Sequence, residues 1–258
     1  MVSLYSHKES SDVAKAVGAY IIKIQDEAVS KAGVFKVAVS GGSLGKVLKA
    51  ALIDDSELSQ KVKWDKWEVF FSDERIVPLD HAESNYGLFN EKVLLSLPAG
   101  SPKPKVHAID ASLITGSDGQ LEGADSGKDE AIAQAYEKLF ASDAHLDLVL
   151  LGCGPDGHTC SLFPGHALLQ EKNSLVSLIR DSPKPPPRRI TITFPVLAQA
   201  SNIAFVAEGE GKAPVIDEIF NKPESQLPCK YVNDLSVPVS WFVNDAALTN
   251  INVTPSKY

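Results

Sequence analysis

Asp156 and His158 flank Gly157, directly after the apolar run Leu146-Asp147-Leu148-Val149-Leu150-Leu151 and the turn Gly152-Cys153-Gly154-Pro155. Histidine is the side chain best suited to moving a proton near neutral pH. An acid beside it can set the tautomer of the ring or hold a substrate hydroxyl. The two residues are too close in sequence for a direct pair to be presumed, so both roles stay open. The glycines let the backbone turn tightly and approach a ligand. A lone histidine is more often structural than catalytic, but one flanked by glycines at a strand end favours catalysis. A zinc site would need further ligands at suitable spacing, and none is evident.

Three other groups could serve the same chemistry. Ser40-Gly41-Gly42-Ser43 lies between a strand and a helix, where free backbone N–H groups and two hydroxyls make an anion pocket. The alternative is a tight turn with a serine cap. The pattern is neither a nucleotide P-loop nor a dinucleotide fingerprint. Asp73-Glu74-Arg75 follows an aromatic run. The planar fork of Arg75 can grip phosphate or carboxylate, and Asp73 can hold Arg75 or a hydroxyl. Lys184, Arg188 and Arg189 cluster before a strand, and Lys212 opens a helix after Gly209-Glu210-Gly211. His7, His81, His107, His145 and His166 have no comparable context and read as surface or structural.

These residues need a frame, and the hydropathy pattern supplies one. Val13 to Ala28, Leu44 to Ile53 and Gly211 to Phe220 have helical spacing. Phe35–Val39, Trp67–Phe71, Leu146–Leu151, Arg189–Phe194, Ile203–Ala207 and Val239–Val243 read as strands. Alternation of the two predicts an α/β fold: a single domain over residues 1–258, with a mostly parallel sheet and helices on both faces. Ser40, Ser72 and Gly152 then fall along one edge of the sheet, where open α/β sheets bind ligands. Thr115 to Asp129, rich in Gly, Ser and Asp, reads as a mobile surface loop. Ser182 to Arg189 reads as a stiff polyproline-like stretch.

The chain has 258 residues, 44% of them hydrophobic, enough for one large core. A net charge of −8 argues against nucleic-acid binding, which needs a basic face. It also means that a site for an anionic substrate must gather its cations locally. No apolar stretch reads as a signal peptide or a membrane span, so the cytoplasm is the expected location. The odd, low cysteine count (Cys153, Cys160, Cys229) points to buried thiols rather than disulfides.

Val39-Ser40-Gly41-Gly42-Ser43, Phe71-Ser72-Asp73-Glu74-Arg75-Ile76-Val77-Pro78, Ser84-Asn85-Tyr86-Gly87, the run Leu151 to Gly165, Asp181 to Pro186, Arg189 to Thr193 and Glu208 to Lys212 occur in this order. Together they resemble the glucosamine-6-phosphate isomerase/6-phosphogluconolactonase family, in its eukaryotic, fungal and cytosolic lactonase form. The resemblance implies a modified Rossmann-like fold used without a nucleotide. It also implies hydrolysis of 6-phospho-D-glucono-1,5-lactone to 6-phosphogluconate in the oxidative pentose phosphate pathway. It makes His158 the general base, with Asp156 and Arg75 beside it in the catalytic set. It places Ser40, Gly41, Gly42, Ser43, Asp73, Arg189 and Lys212 around the substrate and its phosphate, the prolines leaving Arg188 as an alternative to Arg189. The oxyanion would be held by N–H groups of the glycine turn or by Arg75. No cofactor or metal is implied, and the expected partner is the phosphorylated sugar lactone alone, bound by a monomer or small homo-oligomer. The rivals are a sugar-phosphate isomerase or deaminase of the same fold and a non-catalytic binding module. The deaminases place a carboxylate a few residues after the histidine, where this chain has Thr159-Cys160-Ser161-Leu162-Phe163-Pro164.

Overall fold

A computed structural model describes residues 1–140 and 144–256. Along these residues ten strands and seven α-helices alternate. They are β1 (Val2–His7), α1 (Ser10–Ala32), β2 (Phe35–Val39), α2 (Leu44–Lys49), β3 (Trp67–Phe71), β4 (Asp73–Arg75), α3 (Asn85–Lys92), β5 (Lys105–Val106), α4 (Ser126–Glu137), β6 (Leu148–Gly152), β7 (Val176–Ile179), β8 (Arg189–Ile192), α5 (Phe194–Leu197), β9 (Ile203–Ala207), α6 (Ala213–Asn221), α7 (Pro228–Asn233) and β10 (Val239–Asn244).

Seven strands form one parallel sheet in the order β1-β10-β9-β6-β2-β3-β5. Its central strands are apolar at nearly every position because both faces are covered. Val37, Val39, Leu148 and Leu150 pack under α1 and α2, and α3 adds Phe89 to that layer. Ala38, Val149, Leu151 and Phe205 point the other way, into a second core with Ile132 and Tyr136 of α4 and Ile216 and Ile219 of α6. The expected helices on both faces are therefore present. From β2 the chain runs outward through β3 to β5, returns to β6 on the other side of β2, and continues to β9 and β10. This reversal opens a crevice beyond the carboxyl ends of β2 and β6.

Arg189–Ile192 does not join the main sheet, contrary to the sequence reading. It sits in a separate antiparallel sheet of order β4-β8-β7, with Asp73 opposite Thr191 and Arg75 opposite Arg189. The Arg-Ile-Thr-Ile alternation is an antiparallel pattern, unlike the continuous apolar runs of β6 and β9. This small sheet carries Asp73, Arg75 and Arg189 toward the crevice.

The stretch Thr115 to Asp129 also differs from expectation. Its last residues belong to α4, whose N-terminus is capped by the Asp125 carboxylate accepting from the N–H groups of Gly127 (2.8 Å) and Lys128 (3.1 Å). Arg188 is fully buried and ties the rest down. It donates to the carbonyls of Thr115 and Gln120 and makes a two-pronged pair with buried Asp129.

Candidate active site

The crevice holds a cavity of about 220 Å³. Ser40, Gly41, Gly42, Ser43, Asp73, Arg75, His158, Arg189 and Lys212 all line it. Asp156 stands behind His158 rather than on the cavity wall.

The turn after β6 is short because its glycines make it so. Gly154 N–H donates to the His158 carbonyl at 2.8 Å and Gly157, at φ 77°, donates to the Gly154 carbonyl at 2.9 Å. Both N–H groups are thus engaged within the turn and do not face a substrate, which removes them as oxyanion donors. The turn folds the histidine back on the acid, and His158 Nδ1 lies 2.5 Å from Asp156 Oδ1. Burial pushes the Asp156 carboxyl up, but the hydrogen bond and charge of His158, then those of Lys184, outweigh it and hold the group down at about 2. An ionised carboxylate only accepts, so Nδ1 carries the proton and Nε2 is the basic nitrogen. Burial also lowers the pKa of His158 below its ordinary value, against the pull of Asp156. The ring stacks on Phe163 at 4.8 Å, which fixes its plane.

On the opposite wall, the Ser40 and Ser72 hydroxyls meet at 2.6 Å and join the ends of β2 and β3. Ser43 makes no capping bond to α2, so the plain cap reading does not hold. Among the described residues, no hydrogen bond within the protein engages the N–H groups of Gly41, Gly42 or Ser43. Gly42 has φ 68°, and a Cβ on Gly41 would lie 2.0 Å from Asn85 Oδ1. The loop therefore keeps its shape only with glycine at both places.

Three cations complete the ring. Lys212 Nζ donates to the Cys153 carbonyl at 2.7 Å. Arg75 donates through one nitrogen to the Glu83 carbonyl (2.7 Å) and carboxylate (3.0 Å), while its Nε is buried without a partner. Arg189 donates to the carbonyls of Lys184, Pro185 and Pro186 and to the Ser161 hydroxyl. Most of its donors hold the proline strap in place. Between the two alternatives, Arg189 reaches the cavity and Arg188 points away to Asp129.

Several contributors were not legible as such. Asn85 lines the cavity and donates to the Asp73 carbonyl (2.8 Å) and carboxylate (3.2 Å). The N–H groups of Asn85 and Tyr86 and the Ser84 hydroxyl are all taken up by the buried Glu74 carboxylate, which pins α3 to β4. Ser161 donates to Asp73 at 2.7 Å. Cys160 sits at φ 51°, uncommon for a residue with a Cβ. That conformation sends the Thr159 hydroxyl to the Gly152 carbonyl and the Ser161 hydroxyl to Asp73. The Ser84-Asn85-Tyr86-Gly87 segment was visible as a motif but offered no chemistry of its own. Burial pushes the Cys160 thiol far up, so it is no nucleophile. Among the described residues no cluster of His, Cys, Asp or Glu could hold a metal, and no helix is long and apolar enough to cross a membrane.

Sequence and fold point to one family. The profile of the glucosamine-6-phosphate isomerases/6-phosphogluconolactonase family covers residues 8–241, and the chain belongs to it. It is 47% identical to 6-phosphogluconolactonase 3 of Saccharomyces cerevisiae over 97% of this chain and 98% of that one. With the 6-phosphogluconolactonase of Rattus norvegicus it shares 42% identity over 88% and 84% of the two chains. The solved 6-phosphogluconolactonase of Trypanosoma brucei superposes with a TM-score of 0.81 at 26% identity, covering 98% and 99%. A monomeric glucosamine-6-phosphate deaminase superposes at 0.71 with 15% identity over 95% and 98%, a likeness of fold alone.

Proposed function

We propose that the chain hydrolyses 6-phospho-D-glucono-1,5-lactone to 6-phosphogluconate, serving the oxidative pentose phosphate pathway in the cytoplasm. The observation that carries this reading is the histidine: Nδ1 is fixed by an ionised acid, and the ring lines the same cavity as three cations and an unengaged N–H loop. A δ-lactone is an activated ester and needs no covalent nucleophile. His158 Nε2 takes a proton from water as the water oxygen bonds to C1. The C1 oxygen becomes an oxyanion, for which Arg75, a cation on the cavity wall, is the candidate partner. As the C1–ring oxygen bond breaks, the imidazolium returns its proton to the ring oxygen, leaving acid and alcohol. Arg189, Lys212 and the Gly41–Ser43 loop hold the phosphate, which turns binding into orientation. The enzyme works on this small molecule as a monomer or small homo-oligomer, with no cofactor and no nucleic acid.

His158→Ala should lower kcat by about 10²–10⁴-fold. The assay uses freshly made lactone, couples the product to its NADP-dependent dehydrogenase and subtracts spontaneous hydrolysis. An unchanged kcat rules out the base. Ammonia release from glucosamine 6-phosphate would instead favour the deaminase reading, against which stands the absence of a carboxylate at Thr159 to Pro164.

A further inference from the structure

We propose that Lys184 is a positioning residue for the His158 base: its ammonium clamps the Asp156 carboxylate, which holds the Nδ1 proton and keeps Nε2 as the basic nitrogen. The inference rests on the reading of His158 as the base. Lys184 Nζ lies 3.1 Å from Asp156 Oδ1 and 3.2 Å from His158 Nδ1. Ammonium and Nδ1–H are both donors, so they do not bond each other and instead converge on one oxygen. Among the described residues, the Asp156 side chain has no other donors except the His158 backbone N–H at 3.4 Å. Without Lys184 the acid would rest on the histidine alone.

Lys184 is itself held from both sides. Its carbonyl accepts from the Ser182 hydroxyl at 2.8 Å and from the Arg189 guanidinium at 2.9 Å, and its N–H donates to the Ser182 hydroxyl at 3.2 Å. The side chain is only 35% exposed. It does not line the cavity, which distinguishes it from the phosphate-facing cations. The strap thus links two functions: Arg189, on the cavity wall, fixes the backbone that aims Lys184 at the dyad.

The groups facing the imidazole set the direction of the effect. Asp156 and, more weakly, Asp73 favour the imidazolium, while Lys184 disfavours it. Phe163 covers one face of the ring, with Arg189 5.8 Å from that phenyl ring, and the Cys229 thiol from α7 reaches the His158 carbonyl. Loss of the ammonium therefore raises the His158 pKa, while an Asp156 carboxylate no longer clamped at 3.1 Å swings off Nδ1 and lets the ring sample the other tautomer.

The test pairs ¹⁵N NMR of the histidine ring with the pH dependence of kcat in Lys184→Met, Lys184→Gln and Lys184→Arg. In the first two, the His158 titration midpoint and the acid limb of kcat should rise by about one pH unit. The Nδ1-protonated tautomer should also lose its dominance. Lys184→Arg should restore both. A neutral variant that is less active but has the wild-type tautomer and midpoint overturns the proposal and leaves Lys184 a structural strap residue. If Met at this position does not fold, Gln decides the question by the same two readouts. Full activity in His158→Ala would remove the base reading, yet the tautomer and midpoint of His158 would still decide what Lys184 does.

Discussion

Around His158 the room available matters as much as the functional groups. A Cβ on Gly154 would lie 1.9 Å from His158 Nδ1 and 2.6 Å from Asp156 Oδ1. Gly154→Ala should therefore push the imidazole off the acid into the open cavity, with kcat falling about 10²-fold, the cost of roughly 1 Å of misplacement. Under the proposed assignment of the phosphate to Arg189, Lys212 and the Gly41–Ser43 loop, none of those groups is displaced by the new methyl, so KM should hold. Steady-state kinetics at saturating lactone checks this, and a wild-type kcat would mean the dyad tolerates a displaced ring. Single residues were legible where type and turn coincide: His158, Asp73, Arg75 and the Ser40–Ser43 loop all reach one cavity. Lys184 showed only as one of a cation cluster and Asn85 only inside a motif; their partners are distant in sequence and meet them only through the fold. The pairing of Asp156 with His158, unsafe to assume from a separation of two, depends on the turn that Gly154 and Gly157 permit.

The elements near the site differ in how well they announce themselves. β6 and β9 are continuous apolar runs, β2, β3 and β10 nearly so, and none needed a partner to be recognised. β4 has three residues and β5 two, too few for any period to emerge. The start of α4 resembles a loop in composition because Asp125 and Gly127 are cap residues, the chemistry that satisfies a helix N-terminus. What fixes α4 against the small sheet is the buried pair of Arg188 and Asp129, both with 0% exposure. Arg188→Ala leaves that carboxylate to Arg180 alone, at 3.1 Å. We expect a loss of about 3 kcal/mol in denaturant unfolding, the lower end for a broken buried pair because Arg180 remains. Arg188→Lys should recover little, since a point charge cannot reproduce the fork or reach both carbonyls. A variant as stable as wild type would show that the pair contributes nothing net.

Over the whole molecule, the parallel sheet ends in two edges, and both are blunted. At one, the Ser256 N–H donates to the Leu4 carbonyl of β1 at 2.6 Å, and Ile251 and Val253 pack on the adjacent core. At the other, β5 offers two residues, one of them the exposed Lys105. Protected edges discourage pairing between copies. This chain should show no association through β1 at micromolar concentration by light scattering and cross-linking, whereas deletion from Ile251 onward should bring concentration-dependent association through that edge. Association of the intact chain through β1 would contradict this. The fold class was readable from alternation alone, but the small sheet that delivers two of the three cations was not, since its pairing joins segments far apart in the chain. The crevice between β2 and β6 has a wider consequence. It exists because the connections leave those strands in opposite directions, not because of any residue within it. Its chemistry can therefore be exchanged turn by turn while the sheet stays unchanged. The same frame is shared at 15% identity with a solved glucosamine-6-phosphate deaminase, so the frame is kept while almost every residue on it changes.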